Sequence, residues 1–191
     1  ISVLYVARYQ GNFSSRREEL LRQRSLAEEL LGWSLQNEYG LQLSSLSRRR
    51  TSSGKPFFLD CPLHFSLSHT RGMVCCALSA FPVGVDVEGP RPIREALVRR
   101  VCTEEEYAWL AAQKDRDAAF LSLWTLKESV MKLSGHGLGY GLRRAAFSME
   151  DAGPRFCGPG VRLSQFSLTD GYVVSAASEG EAFSEPRFVT L

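Results

Sequence analysis

The feature that most constrains this chain is that it echoes itself. Phe65-Ser66-Leu67-Ser68-His69 followed by Met73-Val74-Cys75-Cys76-Ala77-Leu78-Ser79 is matched by Phe166-Ser167-Leu168-Thr169-Asp170 followed by Tyr172-Val173-Val174-Ser175-Ala176-Ala177-Ser178. Each copy has two short runs around a turn, the pattern of a hairpin. Upstream of each lies a helical stretch, near Arg24 in the first copy and near Trp124 in the second, at a separation of roughly 40 residues in both. The matched spacing predicts an α+β fold in which two similar α/β halves pack on each other as a pseudo-dimer. Ligands often lie in such interfaces, so an active-site cleft is expected between them. The halves are expected over residues 1–90 and 91–191, the second carrying the Trp124 helix.

The rest of the chain fits that frame. Ile1 to Tyr9 reads as a first strand rather than a signal peptide, having no long apolar stretch or cleavage site. Ser15 to Gln36 predicts a basic amphipathic helix with an apolar stripe of Leu20, Leu21, Leu26, Leu30 and Leu31, which Gly32 only interrupts. Leu41 to Leu46 resembles a strand, and Ser47 to Gly54 a basic, serine-rich connection. A hairpin is expected around His69-Thr70-Arg71-Gly72, then a strand over Pro82 to Glu88. Helices are predicted over Ile93 to Val101, Thr103 to Gln113 and Ala118 to Leu133, the last stopped near Gly135. Phe166 to Leu168 and Tyr172 to Ala177 read as strands.

No apolar run approaches the length a bilayer needs, and a net charge of +2 over 191 residues gives no reason to expect nucleic acid. The five cysteines are odd in number and include no CxxC pair, so they read as buried, reduced thiols of a cytoplasmic protein. Neighbours Cys75 and Cys76 are expected on opposite faces of a strand.

Three groups of residues carry chemistry. In Gly84-Val85-Asp86-Val87-Glu88 the two carboxylates are two apart on one strand face, while Val83, Val85 and Val87 turn to the core. So close a pair repels unless a cation neutralises it, and magnesium suits a few carboxylates plus substrate phosphates. A solvated strand face is the plainer reading of the same pattern. In Trp124-Thr125-Leu126-Lys127-Glu128-Ser129-Val130-Met131-Lys132, Leu123, Leu126, Val130 and Leu133 form one helical stripe. Trp124, Glu128 and Lys132 form a second, nearly opposite, which predicts core on one side and a ligand cleft on the other. Glu128 beside Asp86 and Glu88 would complete a three-carboxylate site. The third group is basic: Arg16, Arg17, Arg22, Arg24, Arg48, Arg49, Arg50, Lys55 and His69. These residues would hold a phosphorylated ligand or simply face water.

Together these motifs resemble the 4'-phosphopantetheinyl transferase superfamily, in its surfactin-synthetase-activating (Sfp-like) type. Gly54-Lys55-Pro56, Phe65-Ser66-Leu67-Ser68-His69, Gly84-Val85-Asp86-Val87-Glu88, Thr103-Glu104-Glu105-Glu106 and Trp124 to Lys132 follow the order of that family's motifs over most of the chain. Cys102 stands where the family usually has Phe. The resemblance implies a monomeric enzyme that moves the phosphopantetheine arm of coenzyme A onto a serine of an apo acyl or peptidyl carrier protein. It implies magnesium held by Asp86, Glu88 and Glu128. It also implies coenzyme A contacts from Arg24, Ser25, Lys55, Ser68, His69, Asp86, Lys127 and Lys132. Of these, Lys55, Ser68 and His69 would meet the 3'-phosphate end, Arg24 and Ser25 would border that pocket, and Lys127 and Lys132 would face the pyrophosphate. Glu128 is the candidate base and Lys132 the group that steadies the leaving phosphate.

Two other classes use the same residues. A metal-dependent pyrophosphatase would attack coenzyme A or a nucleotide with water. An RNA-binding α/β module would use the arginines, but the strand Met73 to Leu78 lacks the aromatics on which such modules stack bases.

Overall fold

The computed structural model describes residues 2–136, 141–150 and 153–191. Its elements are β1 (Val3–Arg8), α1 (Arg16–Tyr39), β2 (Arg48–Arg50), β3 (Pro56–Phe58), β4 (His64–Thr70), β5 (Met73–Ser79), β6 (Val83–Glu88), α2 (Glu95–Val101), α3 (Glu104–Ala111), α4 (Arg116–Ser134), β7 (Phe147–Glu150), β8 (Gly153–Phe156), β9 (Arg162–Ser167), β10 (Val173–Ser178) and β11 (Arg187–Val189). This is a mixed α+β fold. None of its helices is long and apolar enough to cross a membrane, among the described residues.

Two sheets carry the architecture. The first runs β11-β1-β5-β4 and the second β6-β10-β9, with β2-β3 and β7-β8 as separate hairpins. The two echoed segments are the hairpins β4-β5 and β9-β10, each antiparallel and in register. Period-two alternation sorts the apolar residues into layers. In β5, Val74, Cys76 and Leu78 meet α1, while Met73, Cys75 and Ala77 face the other sheet. The inter-sheet layer is completed by Leu4 and Val6 of β1, Val83, Val85 and Val87 of β6, and Val174 and Ala176 of β10. Cys75 and Cys76 thus turn to opposite faces. Burial pushes both thiols up, Cys76 to about 12, and all five cysteines are free.

The long helices start and stop on local signals. Ser15 accepts from the Glu18 amide at the head of α1 and Asp115 from the Ala118 amide at the head of α4. Gly40 and Gly135 close them in the left-handed conformation, at φ 66° and 73°. Thr103 and Glu106 form a reciprocal capping box on α3.

The strand bearing Asp86 and Glu88 pairs along its length with β10 and so joins the second sheet. Three expectations change. Leu41 to Leu46 holds no strand: after Gly40 the chain folds back, with the Leu41 amide on Leu35 O, into a 3-10 turn at Leu43–Ser45. The alternating leucines there pack on the α1 core instead of pairing. Leu21 is 57% exposed, because nine residues at about 100° each put it on the opposite side of α1 from the buried Leu30. Trp124 is half-buried in the second core, 5.9 Å from the Phe120 ring, and does not face the cleft side. A stripe spaced by four drifts about 40° per step, enough to separate Trp124 from Lys132.

Candidate active site

The site forms where α4 crosses β6. A side chain at Gly84 would collide with the Ser129 carbonyl and the Leu133 amide, so strand and helix touch backbone to backbone. The sheet side of α4 is accordingly small and polar. Thr125 hydrogen bonds Ser175 of β10 at 2.8 Å, and Gln165 of β9 ties Ser175 to Ser122. This close approach brings Glu128 and Lys132 of α4 beside Asp86 and Glu88 of β6.

Asp86 is 6% exposed. Its Oδ1 accepts from Lys132 Nζ at 2.7 Å and from Ser68 Oγ of β4 at 2.7 Å, while Lys132 also donates to Ser68 at 2.9 Å. Burial pulls the Lys132 ammonium down, and the Asp86 carboxylate outweighs that and leaves it above its usual value. Asp86 Oδ2 is buried with no hydrogen-bond partner. Glu88 is raised by burial and then by Asp86, despite Arg91 at 3.5 Å. Glu128 is raised to about 7 by burial first, then by Asp86 and Glu88, against the opposing Lys132. Thus three carboxylates share a region with two cations, Lys132 and Arg91. They are not closed into a ready-made cage: among the described residues no three His, Cys, Asp or Glu side chains form a metal-sized group.

Next to this cluster lies a basic cavity of about 800 Å³, lined by Arg24 of α1, Arg48, Arg49 and Arg50 of β2, and His69 of β4. Glu28 pairs with Arg48 there at 2.8 Å. Arg24 and Arg49 have no ion-pair partner among the described residues. Burial lowers His69 below its usual value, and Lys132 and Arg24 lower it further. His69 also lines a second cavity of about 530 Å³ with Arg16, Arg71, Glu88 and Arg91, so it stands between the arginines and the carboxylates. Ser25 is exposed and does not line the arginine cavity.

Two residues expected at the ligand are engaged elsewhere. Lys127 is fully buried. Its Nζ meets Glu106 Oε1 at 2.8 Å and donates to Leu142 O and Ala145 O. Glu106, also fully buried, caps α3 and accepts from the Phe147 amide. The spacing within α4 cannot reveal this, because Lys127's partner is on another helix. Lys55 donates to Val83 O at 3.1 Å and Leu133 O at 2.8 Å, clamping the end of α4 to the start of β6. Burial lowers its ammonium. It lies outside the arginine cavity and lines a smaller one of about 280 Å³ with Lys132, Ser66 and Met131. Cys102 is buried in the second apolar core, the kind of place a phenylalanine would fill.

Residues 82–177 match the model of the 4'-phosphopantetheinyl transferase superfamily. The 4'-phosphopantetheinyl transferase psf-1 of Bacillus pumilus is 30% identical over 173 residues, 86% of this chain and 74% of the relative. The transferase gsp of Aneurinibacillus migulanus is 37% identical over 116 residues, 57% of this chain and 48% of the relative. Sfp of Bacillus subtilis (strain 168) is 35% identical over 117 residues, 59% of this chain and 52% of the relative. The match spans about half the length of these last two. A superfamily match over half the chain, covering both β6 and α4, and a relative aligned over most of both sequences lead to one conclusion: the chain belongs to the 4'-phosphopantetheinyl transferase superfamily.

Proposed function

We propose that this chain transfers the 4'-phosphopantetheine group of coenzyme A to a serine of an apo acyl or peptidyl carrier protein, releasing 3',5'-ADP. The observation that carries the reading is the meeting of Asp86, Glu88, Glu128 and Lys132 beside a cavity rich in arginine.

The residues fit a divalent cation. The donors are all carboxylate oxygens, Asp86 Oδ2 is buried and unpartnered, and burial and then the neighbouring Asp86 hold Glu88 and Glu128 above their usual range. Magnesium takes oxygen ligands, commonly one or two carboxylates plus substrate phosphates, so an open set suits it. Asp86, Glu88 and Glu128 would hold it, and when bound it would supply charge neutralisation to the pyrophosphate.

The protein's own groups account for the rest. Arg24, the β2 arginines and His69 would bind the 3'-phosphate end. The serine Oγ bonds to the β-phosphorus, the P–O bond to 3',5'-ADP breaks, and the serine proton passes to Glu128. A positioned carboxylate is a competent general base for a hydroxyl held within its reach. Lys132 would offset charge on the departing phosphate oxygen, and Ser68 and Asp86 hold its ammonium in place.

We read the two sheets, each with one long helix, as two halves of a pseudo-dimer dividing between β5 and β6, with β11 returning to the first. The cleft lies between β4 and the β6–α4 pair, and a monomer would then suffice. The free cysteines go with a reducing compartment such as the cytoplasm.

The test is mass spectrometry of apo carrier proteins incubated with the chain, coenzyme A and magnesium. A gain of about 340 Da on the serine, dependent on the metal, is expected. Hydrolysis of coenzyme A with no carrier labelled would make the chain a pyrophosphatase instead.

A further inference from the structure

Gly89 directly follows Glu88, and its φ lies outside the left-handed region, so its own backbone conformation does not call for glycine. The reason is across the site. A Cβ at Gly89 would sit 2.9 Å from the ring of Tyr172, which leads into β10. A Cβ at Gly72, in the β4-β5 turn, would come within 2.6 Å of the same residue's hydroxyl. That hydroxyl donates to the Arg71 carbonyl at 2.8 Å. The ring therefore fills the gap between the turn that follows His69 and the chain leaving Glu88. Register adds to this, because Val173, the next residue, pairs with Glu88 itself. From the outer side Arg8 lies 5.6 Å from the ring and bonds Asp170 of the same turn.

We infer that Tyr172 is a positioning residue, a strut that sets the separation between the nucleotide-binding side, at His69 of β4, and the metal-binding side, at Glu88 of β6. Tyr172 acts on Glu88 through Gly89 and on the first sheet through the β4-β5 turn. This rests on the reading of the site as one for coenzyme A and magnesium. A ligand spanning both sides needs them at one distance, so Tyr172 couples the affinity for one to the affinity for the other.

The test is calorimetric titration of magnesium into the protein with and without saturating coenzyme A, for wild type, Y172F, Y172A, G89A and the Y172A/G89A double variant. Coenzyme A should tighten magnesium binding to wild type. Y172A and G89A should each weaken magnesium binding to the coenzyme A complex about tenfold, a typical coupling between packed neighbours. Coenzyme A binding without metal should stay unchanged. Y172F, which keeps the ring against Gly89 but loses the bond to the Arg71 carbonyl, should fall between wild type and Y172A. The double variant should be no worse than Y172A, since the ring that a methyl group on Gly89 would strike is gone. Y172L replaces Y172A in the same cycle if the latter does not fold. Wild-type magnesium binding in Y172A or Y172L, or additive losses in the double variant, would overturn the strut. A wild-type protein that binds neither ligand would instead remove the functional reading on which it rests.

Discussion

Lys127 Nζ and Glu106 Oε1 lie 2.8 Å apart, and neither side chain reaches solvent. Removing one partner of such a pair leaves a buried charge and typically costs about 3–5 kcal/mol. K127M is therefore expected to lose that much stability in urea denaturation, with KM for coenzyme A unchanged in the folded enzyme. A stable K127M with a raised KM would return Lys127 to the ligand.

Asp86 tests which electrostatic effect dominates before metal binds. Crowding with Glu88 and Glu128 alone would make D86A more stable. The ion pair to Lys132 at 2.7 Å and the bond from Ser68 act in the other direction, and at shorter range. Direct contact should win. We expect D86A to abolish transfer and to lower metal-free stability by about 1.5–3 kcal/mol, the usual worth of a hydrogen bond to a charged group. A higher melting temperature would mean that repulsion dominates.

Glu128 gives the protein a pH signature. Its pKa is raised by folding, from the ordinary carboxylate range to about 7, by burial and then by Asp86. Its folded form favours the proton, so its stability contribution is whole below the ordinary range and is lost as pH rises through about 7. In chelator, wild type should lose stability between about pH 5 and 8, and E128Q should lose less. At saturating magnesium and coenzyme A, E128Q should remain about 10²–10⁴-fold slow, the worth of a positioned base. Full recovery at high magnesium would leave Glu128 a metal ligand only.

The nucleotide end separates Lys55 from its neighbours. R24A and H69A should discriminate less between coenzyme A and its 3'-dephospho form, as shown by the ratio of kcat/KM values. K55M should keep the preference and lose stability, because its ammonium bridges Val83 O and Leu133 O. Loss of preference in K55M alone would reverse the assignment.

What the sequence revealed was local or periodic. The two-residue spacing of Asp86 and Glu88 put both on one strand face, helical period placed Leu123, Leu126, Val130 and Leu133 in one core, and the echoed hairpins appeared as strands. What it concealed was decided by partners far along the chain. Lys127 and Lys55 look like ligand cations until Glu106 and the carbonyls of Val83 and Leu133 are seen to satisfy them. The seam of Thr125, Ser175 and Gln165 leaves no periodic trace, because it is polar and buried together. Trp124 is misplaced by spacing alone, because a row of every fourth residue winds around a helix whose turn is shorter than four.

The pairing of β1 with β11 has a consequence for how the molecule is made. Tyr5 faces Arg187 in parallel register, and the Arg187 guanidinium bonds Tyr5 and Glu38, linking residues as many as 182 positions apart. Val3–Arg8 is made well before residues 187–189, so the outer edge of β1 stays unpaired until those residues follow. Completion of the first sheet therefore waits until β11 has been made. Such an edge is open to wrong partners during synthesis, and it is this edge that a stalled or shortened product would expose.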